Sequence, residues 1–173
     1  MGKSPLNSMA HIESTVRVGQ SLEDVFAFLD ASESHAKFIP NMVEFRQTSP
    51  GVFGKDGATA QGLLRYFGLI KIRVQYEIIQ HERNRRLAMK GRMGPVNFED
   101  GYVLKSSGDG TEIQFWLELF PTGWAKILTP LAGLIGRIHA WETLRNLKRE
   151  LAKEEIASHR DSSQSSGRTP SSQ

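Results

Sequence analysis

The order of its segments limits what this chain can fold into more than any single residue does. One strand pattern comes first and two short helix patterns follow. Six further strand patterns then run in succession through tight turns, and one long helix closes the series from about Pro130 to about Ala157. Strands joined directly by turns make an antiparallel sheet, because parallel neighbours need long crossovers. Such a sheet presents one apolar face that something must cover, and here the long helix is the available cover. The expected class is therefore α+β: a curved antiparallel sheet of about seven strands in β-α-α-β6-α order, wrapped around the C-terminal helix. A curved sheet and a straight helix do not match everywhere, so a cavity between them is expected.

The strands are read from period-two alternation. Ile12, Ser14, Val16 and Val18 alternate with His11, Glu13, Thr15 and Arg17 in the first. Later strands fall at roughly 42–49, 57–67, 70–81, 86–92, 96–106 and 110–119. Turns are marked by Pro50-Gly51, Phe67-Gly68, Arg83-Asn84, Gly94-Pro95 and Gly108-Asp109-Gly110, the last with the Asp-Gly hairpin signal. Ser21 opens a helix as N-cap with Asp24 three residues on, an approximate capping box. Its apolar stripe is Leu22, Val25, Phe26 and Leu29. A second short helix, about 31–38, must end before Pro40.

The long helix has an uneven apolar distribution. Leu131, Leu134, Ile135 and Ile138 share one side, while Leu144, Leu147 and Leu151 share another with Gly133, Gly136 and Ala140. Two readings stay open. Either the helix is buried nearly all round at its start, or its small residues face the sheet and leave room for a ligand. In the second, the Leu/Ile side packs on the short helices or a partner.

Composition excludes several functions. There is no cysteine, so disulfides, thiolate metal sites and thiol nucleophiles are out. The 173 residues suit one domain that can bury a core without staples. The net charge of +3 is modest, and no aromatic residues interleave with the basic ones, so nucleic acid is not an expected partner. Residues 1–9 read as a loose leader without an apolar signal-peptide core, and no stretch suits a membrane span. A cytoplasmic location is expected. The Ser-rich segment 158–173 reads as a disordered tail, which leaves 10–157 as the folded domain.

The layout resembles the START-like superfamily, also called the helix-grip fold or SRPBCC, and within it the polyketide cyclase/dehydrase and lipid-transport group. The resemblance rests on Val16 and Val18, Ser21-Leu22-Glu23-Asp24-Val25-Phe26, Phe38-Ile39-Pro40, Gly110-Thr111, Pro121-Thr122-Gly123-Trp124, and Gly133 with Arg145, Leu147 and Lys148. It covers about 10–155. It implies the helix-grip fold and a cavity for a hydrophobic ligand. Some members of the superfamily bind iron through two histidines and a carboxylate. Here His11, His35, His81, His139 and His159 lie scattered without ligand spacing, so no metal and no cofactor are expected.

Taking the larger apolar set of each strand as inward, Leu64, Tyr66, Val74, Tyr76, Leu87, Met89, Phe98, Tyr102, Leu104, Phe115 and Leu117 face the interior. The ligand-contact candidates are Tyr66, Val74, Tyr76, Met89, Phe98, Tyr102, Phe115 and Trp141. By the same parity Asp100 faces inward and is the one catalytic candidate, unless a bulge near Gly101 turns it out to water. The tyrosines and Trp141 have an alternative reading as plain core residues. His139 and His35 read as structural, and Glu142 with Arg145 as a surface i,i+3 pair. Lys71, Arg73, Arg83, Arg85, Arg86, Lys90 and Arg92 form an exterior basic set. It is either a solvated sheet face or an attraction for an anionic membrane surface. The primary expectation is a binder of a lipid, quinone or polyketide-like molecule. The alternative is a cyclase or dehydratase working through acid/base residues of the same cavity. A third reading makes the Leu/Ile helix side an interface, so the protein is a monomer or a homodimer.

Overall fold

The computed structural model describes residues 10–51 and 53–165, and the side chains of 128–130 and 158–165 fall outside that description. The expected leader, 1–9, and the end of the expected tail, 166–173, lie outside the described residues.

Seven strands form one antiparallel sheet: β1 (Ala10–Val18), β2 (Met42–Gln47), β3 (Thr59–Tyr66), β4 (Ile70–Glu82), β5 (Arg86–Met93), β6 (Val96–Ser107) and β7 (Gly110–Pro121). Their spatial order is β1-β7-β6-β5-β4-β3-β2, so every pair but β1–β7 joins chain neighbours. This is the expected meander. Helix α1 (Leu22–Asp30) is capped as anticipated: the Asp24 amide donates to Ser21 Oγ at 3.1 Å. It buries Val25, Phe26, Phe28 and Leu29. The second helix pattern resolves into a 3-10 turn at Ser32–Ser34 and α2 (His35–Phe38). It stops at Ile39-Pro40, because the residue before a proline is pushed out of the helical region.

After a 3-10 segment at Gly123–Leu128, helix α3 spans Thr129–Ser165. It continues past Ala157, where the sequence reading begins a tail. The chain has no Gly or Pro between Gly136 and Gly167 to interrupt it. The open question about its faces is settled. Gly136 and Ala140 are buried, and so are Leu144, Leu147 and Leu151. A Cβ on Gly136 would meet Ile12 of β1 and Leu119 of β7, so the missing side chain lets the helix lie close on the sheet. Further along, Asn146 Nδ2 donates to the Phe38 carbonyl at 3.2 Å and ties α3 to α2. The Leu131, Leu134, Ile135 and Ile138 side is 51–61% exposed. The architecture is the expected helix-grip fold.

Candidate functional site

The inner sheet face and the first half of α3 do not meet completely. They leave a cavity of about 230 Å³. The sheet supplies Leu64, Tyr66, Val74, Tyr76, Phe98, Asp100, Tyr102, Phe115 and Leu117 to its wall, all drawn from the inward-facing sets. The helix supplies Ala132, Ile135, Gly136 and His139. Small residues at 132 and 136 are what hold the space open at this level. Lower down, the Leu144-Leu147-Leu151 row fills the interior instead.

One carboxyl sits in this apolar wall. The ladder on both sides of β6 runs without interruption through Asp100 and Gly101, pairing Asp100 with Met89 on one side and Leu117 on the other. There is no bulge to turn it outward. Asp100 is 8% exposed, and its Oδ1 is buried without a hydrogen-bond partner. Burial pushes its pKa up to about 7, because the charged form loses its water and gains no compensating donor. Tyr76 and Tyr102 lie close enough that the Asp100 charge adds to burial in raising both phenols well above their ordinary value. Tyr66 is raised by burial and then by Glu142 of α3, which places the end of β3 beside the helix. His139 is held down to about 4 by burial, so it is a neutral imidazole at pH 7. Near neutrality the cavity therefore holds an uncharged histidine, phenols and a carboxyl that exchanges its proton.

Most of the residues singled out from the sequence meet here. Tyr66, Val74, Tyr76, Phe98, Asp100, Tyr102 and Phe115 line one space. Met89 does not: it is fully buried in the packed part of the core and does not reach the cavity. Trp141 does not either. It continues the outward stripe of α3 and is 56% exposed, with the Arg145 guanidinium 4.6 Å over its ring instead of paired to Glu142. His139, read as structural, is part of the wall. The spacing that could have found it is Ala132, Ile135, Gly136 and His139, a helical face with two small residues that ends in an imidazole. Among the described residues no cluster of His, Cys, Asp and Glu is arranged to hold a metal, and no helix is long and apolar enough to cross a membrane. The exterior basic set is partly neutralised: Lys90 pairs with Glu77 at 2.8 Å and Arg85 with Glu82 at 2.9 Å, while Arg86 lies over the Trp116 ring.

Solved structures share this architecture at low sequence identity. The protein TTHA0849 from Thermus thermophilus superposes with a TM-score of 0.69 at 13% identity, covering 83% of this chain and 98% of that one. A conserved protein from Geobacillus kaustophilus gives 0.66 at 15%, covering 83% and 95%. The di-domain ARO/CYC StfQ of the steffimycin biosynthetic pathway gives 0.69 at 10% identity, covering 86% of this chain and 52% of that one. These likenesses concern the fold. Among curated proteins none matches this chain in sequence. The model of the family described as polyketide cyclase/dehydrase and lipid transport matches residues 9–152, and this chain belongs to that family.

Proposed function

We propose that the protein binds a small amphipathic molecule, of the lipid, quinone or polyketide-like kind, between the sheet and α3. The observation that carries this reading is an apolar cavity with a single protonatable carboxyl set among tyrosines. Ligand sites are mostly apolar with a few placed polar groups that fix orientation. A volume of about 230 Å³ lies below the roughly 300–1,000 Å³ usual for drug-sized ligands. The ligand is therefore compact, or a longer one keeps part of its length at the mouth. The family description, which includes lipid transport, supports the same reading.

A second reading has its own support. A buried carboxyl with a pKa of about 7, on a residue that lines the cavity and with one oxygen unpartnered, suits a general acid or base. The family description also includes cyclase/dehydrase chemistry, and StfQ is an ARO/CYC. On this reading Asp100 takes or gives the proton of an enolisable substrate while the tyrosines hold its oxygens.

The deciding experiment is native mass spectrometry of the purified protein with extraction of whatever is bound, repeated on Ala132→Phe and Asp100→Asn. A co-purifying small molecule that Ala132→Phe excludes and Asp100→Asn retains supports binding. A molecule that accumulates unconverted only in Asp100→Asn supports the acid/base reading. Equal ligand content in wild type and Ala132→Phe would sink the cavity as the binding site.

A further inference from the structure

Large apolar side chains stand exposed on the outer side of the helix that lines the cavity and on a neighbouring hairpin. On α3 and the segment before it, Trp124, Ile127, Leu131, Leu134, Ile138 and Trp141 are each at least half exposed. Ile135 belongs both to this stripe and to the cavity wall. The β3–β4 hairpin presents Phe67 and Leu69, 91% and 87% exposed. Its end is beside α3, since Tyr66 lines the cavity and responds to Glu142. Phe67 also holds a φ of 51°, a left-handed conformation that is unfavourable for a bulky residue and uncommon outside Gly, Asn and Asp. An exposed aromatic held at such a cost on a loop tip points to a surface that receives it.

The charges around this patch choose among the surfaces. Residues 63–73 contain Arg65, Lys71 and Arg73 and no acid. Residues 121–148 contain Arg137, Arg145 and Lys148 among their bases and Glu142 as their one acid, while Arg149 beyond them is paired with Glu150 at 3.2 Å. A second copy of this chain packed patch to patch would bring like charges together. A bilayer with anionic headgroups complements them. It also suits the residue types: tryptophans at both ends of the stripe, aliphatic side chains between, and arginines at the border are the composition of interfacial elements.

We infer that the hairpin tip and the first half of α3 together dock on an anionic phospholipid surface, with the mouth of the cavity facing the bilayer. This deepens the proposed ligand binding by supplying a route for an apolar molecule between membrane and cavity. The docking itself is read without any cavity ligand, so its failure leaves cavity binding standing.

The test is co-sedimentation of the full chain with sucrose-loaded vesicles of 70% phosphatidylcholine and 30% phosphatidylglycerol. Wild type is compared with Leu69→Glu/Leu134→Glu and with Ile156→Glu, an exposed apolar residue on α3 outside the patch. Neither patch residue lines the cavity, and both are exposed, so the fold is kept. The double variant is expected to lower the partition coefficient at least tenfold, with Ile156→Glu unchanged. Vesicles should also shift the tryptophan emission of wild type to the blue, through Trp124 and Trp141. Wild type that stays in the supernatant, or a double variant that sediments as well as wild type, overturns the proposal. A dimer in ultracentrifugation that the double variant dissolves, with wild type failing to sediment with vesicles, assigns the patch to a second copy and overturns it too.

Discussion

The imidazole of His35 stacks on the ring of Phe45, with centroids 4.6 Å apart and planes 16° from parallel. Phe38 and Phe53 close around the same ring. Both ring nitrogens are buried without a hydrogen-bond partner. His35 is thus used as a flat apolar plug, held neutral by burial that lowers its pKa to about 3. An unsatisfied buried polar group costs about 1–3 kcal/mol. Replacement by Phe, which keeps the stacking and removes both nitrogens, is expected to stabilise the protein by about that amount, measured by urea denaturation at pH 7. A pKa depressed on folding means the unfolded chain takes up the proton first. His35 therefore costs wild type stability as pH falls from about 6.5 toward 3. His35→Phe should lose that part of the acid sensitivity. A destabilised His35→Phe would show instead that the nitrogens serve a partner.

Asp100 acts with the opposite sign. Its pKa rises on folding from 3.8 to about 7, so the native state holds the proton more tightly than the unfolded chain. The advantage is complete below about pH 4 and disappears as pH climbs through about 7. Above that, the native state carries a buried charge. The full shift corresponds to about 4 kcal/mol. Asp100→Asn cannot titrate, so it should be more stable than wild type at pH 8 by up to that amount and equal to it at pH 4. Thermal melts of the two proteins between pH 4 and 8 check this, because the histidines affect both alike. Curves that stay parallel across the range would show that Asp100 is ionised throughout.

The inward placement of Asp100 was legible in the sequence because period two survives unbroken along β6 from Phe98 to Leu104. A single inserted residue would have reversed it. The same alternation supplied the cavity tyrosines and Phe115. It failed for Met89, since parity separates inside from outside but does not divide a lined cavity from a filled core. That division comes from α3, whose small residues at 132 and 136 oppose one part of the sheet and whose leucines oppose another. Periodicity on α3 gave two apolar sides without ranking them, because Leu and Ile satisfy a core and an exposed docking face equally well in a sequence. Trp141 followed the exposed side and His139 the cavity. Those two placements depend on which stripe wins the sheet, a tertiary choice.

Gly101 has a constraint that its φ does not reveal. A Cβ there would sit 2.7 Å from the Leu87 carbonyl oxygen of the neighbouring strand and 2.9 Å from Trp116 Nε1. The carbonyl belongs to the ladder and cannot retreat without breaking it. Gly101→Ala is expected to cost about 1–3 kcal/mol, the range for an overpacked core. It should also disturb the near-ultraviolet signal of Trp116. Gly136→Ala is the contrast. The tight contact of its Cβ is with the Cδ1 end of the Ile12 side chain and not with backbone, and alanine regains about 1 kcal/mol of helix propensity. It should be close to neutral in the same denaturation experiment.

Asp30 and His81 make a 2.9 Å contact that joins the end of α1 to β4, with both side chains largely covered. Gly54, in the loop after β2, lies against the pair. A Cβ on Gly54 would land on Asp30 Oδ1 and close to His81 Nε2. Glycine is therefore required here by proximity, and an added methyl must displace the carboxylate. If displacement is the whole effect, Gly54→Ala and Asp30→Ala each cost about 1–2 kcal/mol, the range of a partly buried charged hydrogen bond. The double variant should then cost little more than either alone, because the second change removes an interaction already lost. Such non-additivity is the signature of residues sharing one contact. Urea denaturation of the four proteins measures it, and strictly additive costs would show that Gly54 is required for a backbone reason unrelated to the Asp30–His81 pair.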